Sequence, residues 1–210
     1  MQIIYNTNKI HLYKFEENRN YEAVFDDFLR NTLLVLDFLY DNDIMTLTYK
    51  RKNDTKITLD IIDMLLYKAK EPIRIVKGNS NKYYPASNTV QFKDTHGVQF
   101  RKDYKKHFSG SNIGYNSPMA LLAHELIHCY HELFDENGYR ARRLDHSSKG
   151  KKISQQGRNL SFPNQEEVLV IRLANQVAKR LGEDKRGNYG RNYYPTESVL
   201  GIEKKKNIDV

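Results

Sequence analysis

Residues 121–134 read LLAHELIHCYHELF. Two histidines, His124 and His128, stand four apart, and Glu125 directly follows the first. At 3.6 residues per turn, helix positions i and i+4 lie on one face, so both imidazoles can address one ion. Zinc accepts neutral imidazole nitrogens and favours four-coordinate geometry. Glu125, one step round the helix, is poorly placed to bind the same ion. It is well placed to take a proton from a water that the ion polarises. The pattern H-E-x-x-H thus offers two metal ligands and a general base. The same residues also suit an ordinary helix with a solvated or salt-bridged glutamate. The metal reading gains force only with a helix around the pattern and a third ligand near it.

His131 is seven residues beyond His124. At 1.5 Å per residue it sits about 10 Å along the axis, too far to close a tetrahedral site. The longer pattern H-E-x-x-H-x-x-G-x-x-H fails, because His131 stands at the glycine and Phe134 at the third histidine. The inverted H-x-x-E-H is absent. Asp145 or His146 could be the third ligand, and an aspartate there would suggest an aspzincin-like site. Glu166 and Glu167 are the better candidates, since they open a second helix in NQEEV. On a helical wheel they flank the apolar stripe of Val170, Leu173, Ala174, Val177 and Leu181, each about 50° from its centre, so periodicity does not choose between them. Glutamates are favoured in a first turn by the helix dipole whatever their function, and Glu167 is at the capping-box position after Asn164. Beyond that helix, Arg186 and Tyr189 are three apart in RGNY and are candidates to stabilise an oxyanion.

The elements that must position these groups are legible in outline. Ser117 as N-cap and Pro118 at the first helical position start the H-E-x-x-H helix. Its opposite face carries Leu122, Leu126, Cys129 and Leu133, which should pack beneath the site. The second helix runs from Asn164 as N-cap to Gly182. A polar loop of about 30 residues joins the two, and a connection that long is usually functional or mobile. Its basic segment, GYRARRLDHSSKGKK, makes residues 135–163 the candidate substrate-contacting segment. Upstream, residues 2–16 suggest two short strands about an Asn-rich turn, and residues 20–42 a long helix. IMTLTYK, KITLDII and PIRIVKG read as strands, and NTVQF and GVQFRK either pair or flank a longer loop.

The chain has 210 residues, 39% of them hydrophobic and 29% charged, which suits one α+β domain over 1–210. No apolar run reaches the roughly 18 residues of a membrane span. The first residues lack the cationic start and apolar core of a general secretory signal. The single cysteine, Cys129, permits no internal disulfide or cysteine-based zinc site and suits a reducing compartment. A small buried residue is the expectation for it. The net charge of +8 is concentrated in the basic loop and in IEKKK near the end. No recognition motif accompanies that charge, so nucleic acid is not expected as a partner. A solvated loop and tail are expected instead, or attraction of an acidic protein.

LLAHELIHCYHEL, NQEEVLVIRLANQVAKRLG and RGNY together resemble the NleD-type effector metallopeptidases, zinc proteases that bacterial pathogens inject into host cells through type III secretion. The shared pattern is His124, Glu125 and His128, then Glu166–Glu167, Asn175, Leu181–Gly182, and Arg186 with Tyr189. The same order looks like the light chains of clostridial neurotoxins. The likeness spans residues 117–195 and none of residues 1–100. Where the family often has an acid before the helix asparagine, this chain has Ala174. The resemblance implies a zincin-like metallopeptidase domain with a small mixed sheet and one Zn²⁺ on His124, His128 and Glu167. Glu166 would support a histidine or the arginine. It also implies a type III-like route, a secretion chaperone, action in the host cytoplasm, and a host signalling protein as substrate. Targets of the MAP kinase or NF-κB kind are its known examples. Two other readings stand beside it: an H-E-x-x-H peptidase with a different target, and a non-enzymatic basic binding module.

Overall fold

The computed structural model describes residues 3–6, 10–13, 26–50, 55–153, 157 and 159–201. In chain order the elements are β1 (Ile3–Asn6), β2 (Ile10–Tyr13), α1 (Asp27–Asp41), β3 (Thr46–Lys50) and β4 (Lys56–Asp60). Then come α2 (Ile61–Asp63), continued as a π-helical turn at Met64–Lys68, β5 (Arg74–Lys77), β6 (Lys82–Tyr84), β7 (Thr89–Phe92), β8 (His96–Arg101) and β9 (Ile113–Asn116). The last are α3 (Pro118–Phe134), α4 (Glu136–Leu144), α5 (Gln165–Arg180) and β10 (Asn192–Pro195). The architecture is α+β.

Three small sheets form. The largest has the order β2-β1-β5-β7-β6 and is mixed: β5 runs parallel to β1 and β7, while β2 and β6 close the two edges antiparallel. A second, antiparallel sheet has the order β10-β8-β9, and β3 pairs with β4 as a hairpin. At Gly97 in β8 a Cβ would lie 2.5 Å from the Asn116 carbonyl and 2.8 Å from the Tyr194 hydroxyl, so this crossing needs glycine.

α3 is the central element. Ser117 caps it, its hydroxyl accepting from the Ala120 N–H, and Pro118 opens it as expected. Every residue from Pro118 to His131 is buried. α3 packs on α5, α4, β6, β7 and β8, and a helix enclosed on all sides can carry polar groups only if each finds a partner. Leu122, Leu126, Ile127 and Cys129 join the main core. Each fully buried leucine or isoleucine contributes about 1.5–3 kcal/mol. α5 is capped by Asn164, whose side chain accepts from the Glu167 N–H, and Gly182 leaves the helix at φ +71°.

Four expectations need correction. NTVQF and GVQFRK become β7 and β8, but these belong to different sheets and do not pair. The strand in KITLDII stops at Asp60, whose carboxylate caps the following turn by accepting from Asp63 N–H. The 30-residue connection is not all loop, because α4 follows α3 directly. Its basic residues disguise a helix that buries Tyr139 alone. The long helix begins at Asp27, capped by Asp26, and residues 20–25 lie outside the described part, as does the IEKKK tail. Among the described residues no helix is long and apolar enough to cross a membrane.

Candidate metal centre

α3 sets His124 and His128 edge to face, with ring centroids 4.9 Å apart and their Nε2 atoms 3.2 Å apart. The first turn of α5 brings Glu167 against both. Its Oε2 is 3.4 Å from His124 Nε2 and its Oε1 is 3.3 Å from His128 Nε2. One ligand atom from each residue lies within 4.8 Å of the others, and all three residues are buried. Among the described residues this is the one such group of three or more His, Cys, Asp or Glu. Two facing Nε2 atoms can share only one proton, and Glu167 Oε2, buried, has nothing nearer than the 3.4 Å contact to His124 Nε2. A cation accepting all three lone pairs resolves that deficit. The donor set, two imidazoles and a carboxylate, fits a divalent metal that keeps a fourth position open.

Glu166 occupies the other side of His128. Its Oε1 lies 3.2 Å from His128 Nδ1 and 2.6 Å from His131 Nδ1, and its Oε2 accepts from Arg142 Nε at 2.6 Å. This is the carboxylate–histidine support that fixes an imidazole's tautomer and orientation at a metal site. The supporting arginine is Arg142 from α4, not Arg186. His131 is a neighbour bound to Glu166 and not part of the convergent group.

Buried charge shapes the titration of these groups. Burial opposes ionisation of both glutamates, but bonds from His128 and His131 outweigh it at Glu166. Charge on His128 and the bond from His124 do so at Glu167. Both carboxyls are held below the usual carboxylate range. Burial pushes His124 down, whereas at His128 it is outweighed by the Glu167 charge and by the bonds His128 donates to both glutamates, and His128 rises. Protonation is therefore favoured at His128 and disfavoured at His124.

Glu125 is buried, and its Oε2 accepts the backbone N–H of Tyr83 in β6 at 2.8 Å. A cavity of about 240 Å³ opens here, lined by Tyr83, Glu125, His128, Glu167, Tyr189 and Arg191 among others. Burial first, then the Glu167 charge, pushes the Tyr189 phenol up to about 12, so it is a neutral donor. Arg186 is 5% exposed and is not in the lining. Its guanidinium lies 5.7 Å from the Phe100 ring centre and 5.9 Å from that of Tyr189, and burial lowers it to about 10. Asn175 clamps this segment to α5: its Oδ1 accepts the Arg186 N–H at 2.7 Å and its Nδ2 donates to the Arg186 carbonyl at 2.8 Å.

Asp145 and His146 are elsewhere. Asp145 is exposed and accepts from the Ser147 N–H, and His146 Nδ1 pairs with the Pro163 carbonyl. Sequence reasoning missed Tyr83, Arg142, Arg143 and Arg191. Arg142 and Arg143 were visible only as members of a basic run. Arg191 stands two residues after Tyr189, and helical periodicity has no bearing on a turn. No protein-family model matches the chain, and no curated protein sequence matches it.

Proposed function

We propose that the chain is a zinc metalloendopeptidase of zincin-like architecture. The observation that carries this reading is the convergence of His124, His128 and Glu167 on one point, with Glu125 lining the same cavity. Zinc, when bound, supplies a Lewis acid for a water and for the scissile carbonyl. Glu125 takes the water's proton and delivers it to the leaving amine. The Tyr83 N–H holds Glu125 Oε2, which leaves Oε1 for that transfer. The Tyr189 hydroxyl donates to the oxyanion, and Arg186 sets the place of Tyr189 through its Nη2, 3.4 Å from the Tyr189 carbonyl.

β6 is the antiparallel edge of the sheet beside α3 and forms one wall of the cavity, its outward Tyr83 N–H already held by Glu125. The motif resemblance extends the reading to an effector that enters host cells and cuts a signalling protein. A basic binding module has one observation in its favour: Arg172, Lys179, Arg180 and Lys185 line a shallow cavity on α5. That module binds nucleic acid in a salt-sensitive way and needs no metal.

Elemental analysis separates the two. One zinc per chain is expected, lost in His124→Ala/His128→Ala and kept in Glu125→Gln, with peptide-library cleavage by the wild type alone. Wild type that holds no zinc after chelator-free purification sinks the peptidase reading.

A further inference from the structure

The cavity at the metal group carries three cations, Lys82, Arg143 and Arg191, and its only acids are Glu125 and Glu167. Both acids are engaged, Glu167 with the two histidines and Glu125 with the Tyr83 N–H. None of the three cations makes a hydrogen bond or ion pair among the described residues. Lys82 and Arg143 are exposed and rest on aromatic rings, at 4.9 Å from Tyr84 and 5.8 Å from Tyr139. Arg191 differs from them. Its guanidinium is held between Tyr189 at 5.3 Å and Tyr193 at 5.8 Å, partly withdrawn from water. The two rings restrain the guanidinium without accepting its N–H groups. A guanidinium kept that way is preorganised for a planar, bidentate anion, which a carboxylate supplies. Lys82, on edge strand β6, and Arg143, on α4, extend the positive field along the two walls that an extended peptide would follow.

We infer that Arg191 forms a subsite for an acidic side chain, so that the polypeptide recognised here carries Asp or Glu beside the bond presented to the metal group. The inference rests on the peptidase reading for the meaning of that bond, but its binding arm is independent of turnover. Arg191 is a specificity-determining residue: the carboxylate pairs with its guanidinium, and Lys82 and Arg143 favour further acids to either side. An amide of the same shape offers one acceptor oxygen and no charge, and the site discriminates against it.

The test uses the full chain, zinc-loaded and carrying Glu125→Gln to block turnover. Two labelled peptide pools are titrated by fluorescence anisotropy at physiological salt, one with Asp or Glu at a scanned position and the other with Asn or Gln there. The acidic pool is expected to bind at least about ten-fold tighter at one position, as one bidentate ion pair provides. Arg191→Gln removes that preference, and Arg191→Lys keeps part of it. Lys179→Gln, which removes the same charge from the remote face of α5, leaves it intact. Equal binding of the two pools, or a preference that survives Arg191→Gln or falls equally with Lys179→Gln, overturns the subsite. Cleavage of the acidic pool by the Glu125 form is scored separately. Preference without cleavage leaves the subsite standing and removes the peptidase.

Discussion

His128 touches both glutamates, and the two contacts imply different losses. Glu167 faces the Nε2 atoms, whereas Glu166 faces His128 Nδ1. Glu167→Gln should reduce zinc affinity by at least about 100-fold, since it removes a ligand, while Glu166→Gln should cost about 10–100-fold by loosening the support of His128. Competition with a calibrated chelator measures both. A larger loss at Glu166 would reverse the assignment. The convergence of His124, His128 and a glutamate was legible because i, i+4 stacking and a first-turn acid are local facts. The choice between the two glutamates was not. They flank the apolar stripe of α5 evenly, and only the crossing of α5 over α3 sends one to Nε2 and the other to Nδ1.

Between elements, the contact that couples α4 to the metal group is Arg142. It donates from Nε to Glu166 and from Nη1 to Asp135 at 2.8 Å, so a helix of the basic segment reaches His128 through a single carboxylate. Arg142→Gln should leave Glu166 buried with a weaker partner and lower zinc affinity by about ten-fold, with Arg142→Lys recovering part. Unchanged affinity would make Arg142 an α4 anchor only. A second contact fixes the start of α3. Glu183 Oε2 accepts from the Ser117 N–H at 3.1 Å and from Asn116 Nδ2 at 3.2 Å, and burial raises its pKa to about 7. The folded state therefore holds this proton more tightly than the unfolded chain does. The stability it contributes is complete below the unfolded value near 4.5 and is lost as pH climbs to about 7. Relative to wild type, Glu183→Gln should gain on the order of 2 kcal/mol between pH 5 and pH 8 in urea titrations. A pH-independent difference refutes it. The caps at Ser117 and Asn164 were readable because capping is local chemistry. α4 was not, since its exposed residues carry no apolar stripe, and β6, β9 and β10 are too short for period-two patterning to register.

Across the whole molecule, the candidate metal group draws on four elements. α3 contributes two of the candidate ligands and α5 the third, while Arg142 of α4 and Tyr83 of β6 hold Glu166 and Glu125 in place. The main core runs continuously from α1 through the sheet to α3 and α5, so apolar burial alone can keep the metal-free chain folded. Metal would then act on stability by linkage. A ligand that binds only the folded state adds RT ln(1 + [L]/Kd), about 4 kcal/mol at a free concentration 1,000 times Kd. For a domain of this size 1 kcal/mol moves Tm by roughly 2–4 °C, so saturating zinc should raise Tm by roughly 8–16 °C. The gain should vanish with a chelator and in His124→Ala/His128→Ala. Metal-free protein should still give one cooperative transition with native-like secondary structure. Calorimetry with and without zinc reads both quantities. A metal-free chain that melts without a transition would mean that the ion organises the packing of α5 on α3. Equal Tm values with and without zinc would mean that no ion joins the two helices.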